Sequence, residues 1–180
     1  PQFEQYNNRL EQPGGFYLGN SAASLTWNTA NKKAQIKTNN LPEQLAVNNE
    51  NTATTKHKLY TLQSLRSHDQ YNTTIYGMND RYRGISGQRN VLFINEKDAL
   101  KQGFKDGQLV DITSVWQDGE YANVKGFKLC FYDIPKGNLA AYYPETNPLV
   151  PLDSVGDRSF TPTSKAIAVY LTAAEDNQII

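Results

Sequence analysis

The densest chemistry in the chain lies in nine consecutive hydrogen-bonding residues, Arg66-Ser67-His68-Asp69-Gln70-Tyr71-Asn72-Thr73-Thr74. Gln70 and Asn72 can each donate and accept, and Arg66 donates in a planar fork. The hydroxyls of Thr73 and Thr74, with neighbouring backbone N–H groups, can hold phosphate oxygens. His68 can carry a proton or simply make a hydrogen bond, and Asp69 can orient it or end the strand before it. A polar run of this kind is ordinarily a solvated loop. This one directly follows an apolar, strand-like stretch containing Leu59, Tyr60, Leu62 and Leu65, as binding loops do on a rigid scaffold.

Other chemistries are scarce. A single cysteine, Cys130, and two histidines, His57 and His68, exclude a disulfide framework, a Cys-rich zinc site and a protein-ligated iron–sulfur cluster. No nucleophile elbow is present. Cys130 lies between Leu129 and Phe131 and reads as an inert core thiol. Arg81, Arg83 and Arg89 are interleaved with Tyr76, Tyr82 and several glycines. That pattern suits stacking on a single-stranded nucleic acid, clamping a dinucleotide diphosphate, or a subunit interface. With 18 Lys plus Arg against 18 Asp plus Glu, balanced charge weighs against nucleic acid, because counterion release rewards many cationic contacts.

The elements that must position these groups begin in a polar, punctuated region, residues 1–55, read as an N-terminal arm and linker. Within it Leu25-Thr26-Trp27 and Ala34-Gln35-Ile36-Lys37 flank a turn and predict a short hairpin; Trp27 and Phe16 read as packing residues of the arm. Residues 56–180 have a different texture. Val91-Leu92-Phe93-Ile94 is a buried-strand signature. Asn95 then offers an N-cap, Glu96 and Asp98 favour the positive end of a short helix, Lys101 its negative end, and Gly103 a left-handed stop. Asp106-Gly107 turns the chain into an alternating strand, Leu109 to Val115. Asp118-Gly119 leads into a long strand from Tyr121 to Phe131, and Ala166 to Leu171 gives a last one. About six strands with frequent turns predict a barrel or sandwich.

The block Ile94-Asn95-x-x-Asp98-Ala99-x-x-x-Gly103-Phe104-x-Asp106-Gly107-x-x-Val110-x-Ile112 resembles the helix–turn–strand element of double-psi β-barrels. The run from Leu65 to Ile85, containing Asn79-Asp80-Arg81-Tyr82-Arg83-Gly84, looks like the start of the C-terminal dinucleotide-binding domain of formate-dehydrogenase-like molybdopterin oxidoreductase α subunits. Gly14-Gly15-Phe16-Tyr17-Leu18, Trp27-Asn28-Thr29 and Asn147-Pro148-Leu149-Val150-Pro151 extend the resemblance over nearly the whole chain.

The resemblance implies a mainly β, double-psi β-barrel domain over residues 56–180, with one or two short helices. It implies that Arg66, Ser67, His68, Gln70, Asn72, Thr73, Thr74, Asn147 and Lys165 contact a molybdopterin guanine dinucleotide carrying molybdenum or tungsten. The catalytic metal ligand and any iron–sulfur site are expected outside this segment, in upstream domains of the same polypeptide. Absence of an initiator methionine (the chain opens on Pro1, and Met78 is its one methionine) fits an excised fragment, expected to bind cofactor weakly or not at all by itself and to be inactive alone. Hydrophobic residues at 38% and a mean hydropathy of −0.64 fit a piece whose loops face a cofactor and neighbouring domains. No apolar run approaches the roughly 18 residues of a membrane span, and no signal peptide opens the chain, so a cytoplasmic location is expected, with neither membrane nor nucleic acid as partner. The alternative reading is a free-standing double-psi barrel used as a nucleic-acid or protein interaction module.

Overall fold

A computed structural model of the chain describes residues 4–41, 56–68, 70, 77–117 and 119–174. The chain divides into two compact units, Pro1–Pro42 and Glu43–Ile180. In the first, helix α1 spans Tyr6–Leu10. The Tyr6 and Phe16 rings meet edge to face at 5.4 Å, with the Arg9 guanidinium 4.1 Å above Phe16. The expected hairpin does not form: residues 25–37 contain no strand. Leu25 is 71% exposed, Ile36 is fully exposed, and none of residues 4–41 is buried. An isolated two-stranded ribbon with no apolar face to bury is at best marginal. Local side-chain bonds organise the segment instead, with Asn20 Oδ1 accepting from the Ala22 and Ala23 amides and Thr29 Oγ1 from the Lys33 amide.

The second unit is a closed barrel of six strands: β1 (Tyr60–Leu65), β2 (Val91–Ile94), β3 (Leu109–Trp116), β4 (Gly119–Phe131), β5 (Asn138–Tyr142) and β6 (Ile167–Ala173). Around the barrel their order is β1-β5-β2-β4-β3-β6. β1 runs parallel to β5 and β2 parallel to β4, while every other neighbouring pair is antiparallel. The mainly β barrel expected from the sequence is therefore present. β2 is buried at all four positions. Leu92 and Ile94 pack with Leu62, Val110, Ile112, Leu129, Leu139 and Val169, each at most 1% exposed, in the main core, while Val91 and Phe93 face a second cluster with Ile85 and Tyr142. Full burial of each such side chain contributes about 1.5–3 kcal/mol.

Helix α2 (Glu96–Lys101) forms as its capping residues dictate. Asn95 Oδ1 accepts from the Lys97 amide at 3.1 Å, and Asn95 Nδ2 donates to Ile134 O at 2.8 Å. Gly103 has φ +79° and ends the helix. The Phe104 amide returns to Ala99 O, and both residues are buried in the core. Gly107 N–H then bonds Leu129 O at 2.9 Å, and Leu129 N–H bonds Gln108 O. The helix–turn thus delivers β3 onto β4 in register.

One strand escaped the sequence reading. β5 (Asn-Leu-Ala-Ala-Tyr) has no β-branched residue and no alternation. It is a strand because β1 and β2 flank it and complete its ladder, and that pairing is visible only in three dimensions.

Candidate functional site

Parallel pairing of β1 with β5 sets Leu65 opposite Tyr142. The segments that leave both strands therefore emerge at the same end of the barrel, where the Tyr143 amide bonds Leu65 O at 3.0 Å. β6 runs antiparallel to β1, so the residues entering it arrive at that end too, with the Ser64 amide bonded to Ser164 O at 2.9 Å. Three segments distant in sequence thus surround one cleft of about 550 Å³, with Arg66, Tyr143, Asn147, Pro151, Thr161 and Lys165 on its walls.

The donors in this cleft are cationic or amphoteric. Lys165 Nζ reaches Ser64 O closely and Ser64 Oγ at 3.3 Å, which fixes the ammonium at the rim. Among the described residues the Arg66 guanidinium and the Asn147 amide make no side-chain hydrogen bond, and no carboxylate lines the cleft. Asn147 stays at the surface because its neighbours are pinned. Leu149 is buried in the core, and Thr146 Oγ1 donates to Tyr142 O at 3.0 Å. Two cations, a free amide and an absence of acidic walls suit an anionic ligand rich in hydrogen-bonding edges.

Beneath the cleft lies a buried polar node centred on Arg89, 6% exposed. Its Nε and Nη2 grip both oxygens of Glu145, at 2.5 and 3.1 Å. Nη1 bonds Ser67 Oγ at 2.7 Å and Gly77 O at 3.2 Å, and Nη2 bonds Tyr143 O at 2.9 Å. Gln70 closes the set, donating to Tyr143 O and accepting from the Ser67 amide, each at 3.1 Å. A second node adjoins it. Asp80, 1% exposed, accepts from Tyr142 Oη at 2.8 Å and Arg83 Nη1 at 2.5 Å, and the Tyr142 ring lies 5.2 Å from the Arg89 guanidinium carbon. Burial alone would raise the Asp80 carboxyl, but the bonds from Tyr142 and Arg83 outweigh it and hold the group below the usual carboxylate range. Burial and the adjacent Asp80 push the Tyr142 phenol well up, so it is a donor at any working pH.

The structure sorts the candidate residues accordingly. Arg66, Asn147 and Lys165 meet in the cleft. Ser67 and Gln70, at 4% and 5% exposure, turn inward: Ser67 Oγ accepts from Arg89, and Gln70 bonds the Ser67 amide and Tyr143 O. His68 is half-buried, its ring edge-on to Tyr82 at 4.1 Å. Asp69, Asn72, Thr73 and Thr74 lie outside the described residues. Arg89, grouped by sequence with Arg81 and Arg83, is interior rather than part of a basic surface. Its signal was its place two residues before the wholly apolar β2, where a charge must find buried partners. Glu145 carried no comparable signal.

A second cavity, about 600 Å³, opens between β3, β4 and β6 beside Asp111, Asn123 and Lys125. Asp111 there already accepts from the Gly126 amide and Asn123 donates to Thr113, so it presents no convergent free donors. Cys130 is half-buried in β4, its thiol pushed up by burial and by Asp106. Among the described residues no cluster of three His, Cys, Asp or Glu side chains is placed to hold a metal, and no helix is long and apolar enough to cross a membrane.

Comparison with known proteins bears on the same region. Residues 60–173, which span the barrel, match a family model described as "Molydopterin dinucleotide binding domain". An uncharacterized oxidoreductase of Mycobacterium tuberculosis is 43% identical over 175 residues, covering 95% of this chain and 21% of that protein. Protein YdeP of Escherichia coli is 38% identical over 173 residues, covering 95% of this chain and 22% of its own length. The chain spans about one fifth of the curated relatives it matches.

Proposed function

Because the chain belongs to the molybdopterin dinucleotide-binding domain family, we propose that the cleft walled by Arg66, Asn147 and Lys165 holds part of a molybdopterin guanine dinucleotide within a longer oxidoreductase. The observation that carries this reading is the meeting of those three side chains, from three separate segments, in one cleft with no carboxylate on its walls among the described residues. The donor set fits the group. Arg66 presents a planar fork suited to a diphosphate or a pterin edge, Lys165 a point charge already oriented by Ser64, and Asn147 both a donor and an acceptor. The two parallel strand pairs support the double-psi form of the barrel.

When bound, such a cofactor supplies two-electron chemistry at molybdenum or tungsten. The residues of this chain bind and orient it; they carry no complete catalytic set. Cys130 lies in β4 and is not among the residues that wall the cleft, which supports a metal ligand elsewhere in the longer protein. The parent enzyme is read as formate-dehydrogenase-like and cytoplasmic, with its remaining domains as this chain's partners. Much of the cofactor surface then belongs to those domains, so the chain alone holds the cofactor weakly.

The test uses the cofactor-loaded parent protein. Replacing Arg66 or Lys165 by alanine removes exposed side chains that the barrel core does not use. Each variant should melt like the wild type once both are stripped of cofactor, yet carry less pterin and nucleotide after purification. Full cofactor content in both, and in the double variant, would overturn the assignment of this cleft.

A further inference from the structure

Resting on the cofactor-holding reading, we propose that Arg89 is a positioning residue that couples the two cleft loops, one leaving β1 and one leaving β5, into a single binding unit. Its guanidinium, 6% exposed, holds Ser67 and Gly77 of the first loop and Tyr143 and Glu145 of the second. Three of the polar cleft-lining residues lie at or within two residues of those anchors. Arg66 adjoins Ser67, Tyr143 is itself a partner, and Asn147 lies two residues past Glu145. The loops also touch through Gln70, whose amide oxygen takes the Ser67 amide and whose nitrogen reaches Tyr143 O. Arg89 Nη2 lies 3.4 Å from that same oxygen.

The geometry demands arginine. Five N–H donors in a rigid plane meet a carboxylate bidentately on one edge and serve Tyr143 O and the first loop with what remains. A lysine offers three donors from one point and cannot span Glu145, Tyr143 O, Ser67 Oγ and Gly77 O together. Because the guanidinium and its partners sit largely out of water, each bond is strong and none is readily replaced by solvent. A ligand that grips Arg66 therefore also stiffens the loop bearing Asn147, and the reverse holds by linkage.

Two variants of the cofactor-loaded protein test this, Arg89→Lys and Glu145→Gln, with cofactor release rate, melting temperature and amide exchange as readouts. Loosening a pair that preorganises both loops adds an ordering cost of about 1.4 kcal/mol to binding, so each variant should release cofactor about tenfold faster. Glu145→Gln should also speed exchange at the Ser67 amide, on the opposite loop, while β2 and β3 amides keep their protection. A merely structural role predicts lost protection across the barrel instead. If Arg89→Lys fails to fold, Glu145→Gln decides. Wild-type release rates in a folded variant, or unchanged Ser67 exchange in Glu145→Gln, would overturn the coupling. If the wild type holds no cofactor, the functional reading fails, and the exchange measurement still judges the coupling.

Discussion

Replacing Asp80 by asparagine isolates one charge in the polar support under the cleft. The carboxylate is 1% exposed and its Oδ2 accepts from Tyr142 Oη at 2.8 Å and Arg83 Nη1 at 2.5 Å. Its Oδ1 takes the Tyr82 amide at 3.1 Å. An asparagine keeps one acceptor, but its NH₂ then faces the Arg83 donor. Tyr142 can reorient its hydroxyl to accept, whereas Arg83 cannot. A hydrogen bond to a charged group contributes about 1.5–3 kcal/mol. Arg83 is 27% exposed, so solvent screening trims the loss to about 2 kcal/mol at pH 7, or roughly 8 °C in melting temperature. The pH dependence follows from the depressed carboxyl. Its stabilisation is complete above the unfolded-state value of about 3.9 and is lost as pH falls through the lower, folded-state value. Urea unfolding of wild type and Asp80→Asn from pH 7 to pH 3 should show a gap of about 2 kcal/mol that narrows below about pH 4. A gap under about 0.5 kcal/mol at pH 7, or one that widens in acid, would refute the reasoning.

Other expectations concern the barrel itself. Leu62→Ala leaves a cavity at a fully buried core position and should cost about 2–5 kcal/mol in urea unfolding. Gly126 has φ +70° in β4, with open space where a Cβ would stand, opposite the register shift between Val110 and Ile112. Gly126→Ala should therefore cost about 1–2 kcal/mol through backbone strain alone, read by thermal melting. Cys130, its thiol raised by burial and by Asp106, should react slowly with a thiol reagent at pH 8 in the native protein and rapidly in urea.

The parts of the fold legible in the sequence are those whose signal is local. The unbroken apolar run of β2, the Asn95 cap, the Gly103 stop and the Asp106-Gly107 turn each state their structure within a few residues. β5 could not be read because its alanines become a strand through partners on two other strands. The hairpin fails for the opposite reason: Leu25 and Ile36 suggest strands but stand exposed, with no apolar face covering them among the described residues. At the site, Arg66, Asn147 and Lys165 were named from resemblance, and parallel pairing of β1 with β5 explains why they meet. Ser67 and Gln70, which the resemblance places among the cofactor contacts, point their side chains into the node around Arg89 and Tyr143 O. Residue type cannot tell a polar side chain aimed at a ligand from one that accepts from a guanidinium 22 residues away. The Arg89–Glu145 pair, 56 residues apart, is equally hidden, since only the antiparallel pairing of β2 with β5 brings the start of one beside the end of the other.

Cofactor content decides the central claim. The parent protein carrying this chain is purified from a host that makes the cofactor and loads it into other enzymes, then denatured. The released small molecules are measured by mass spectrometry and the metal by elemental analysis. Stoichiometric pterin and guanine nucleotide, with molybdenum or tungsten, is the predicted result. Protein that is folded yet carries neither pterin nor nucleotide would contradict it.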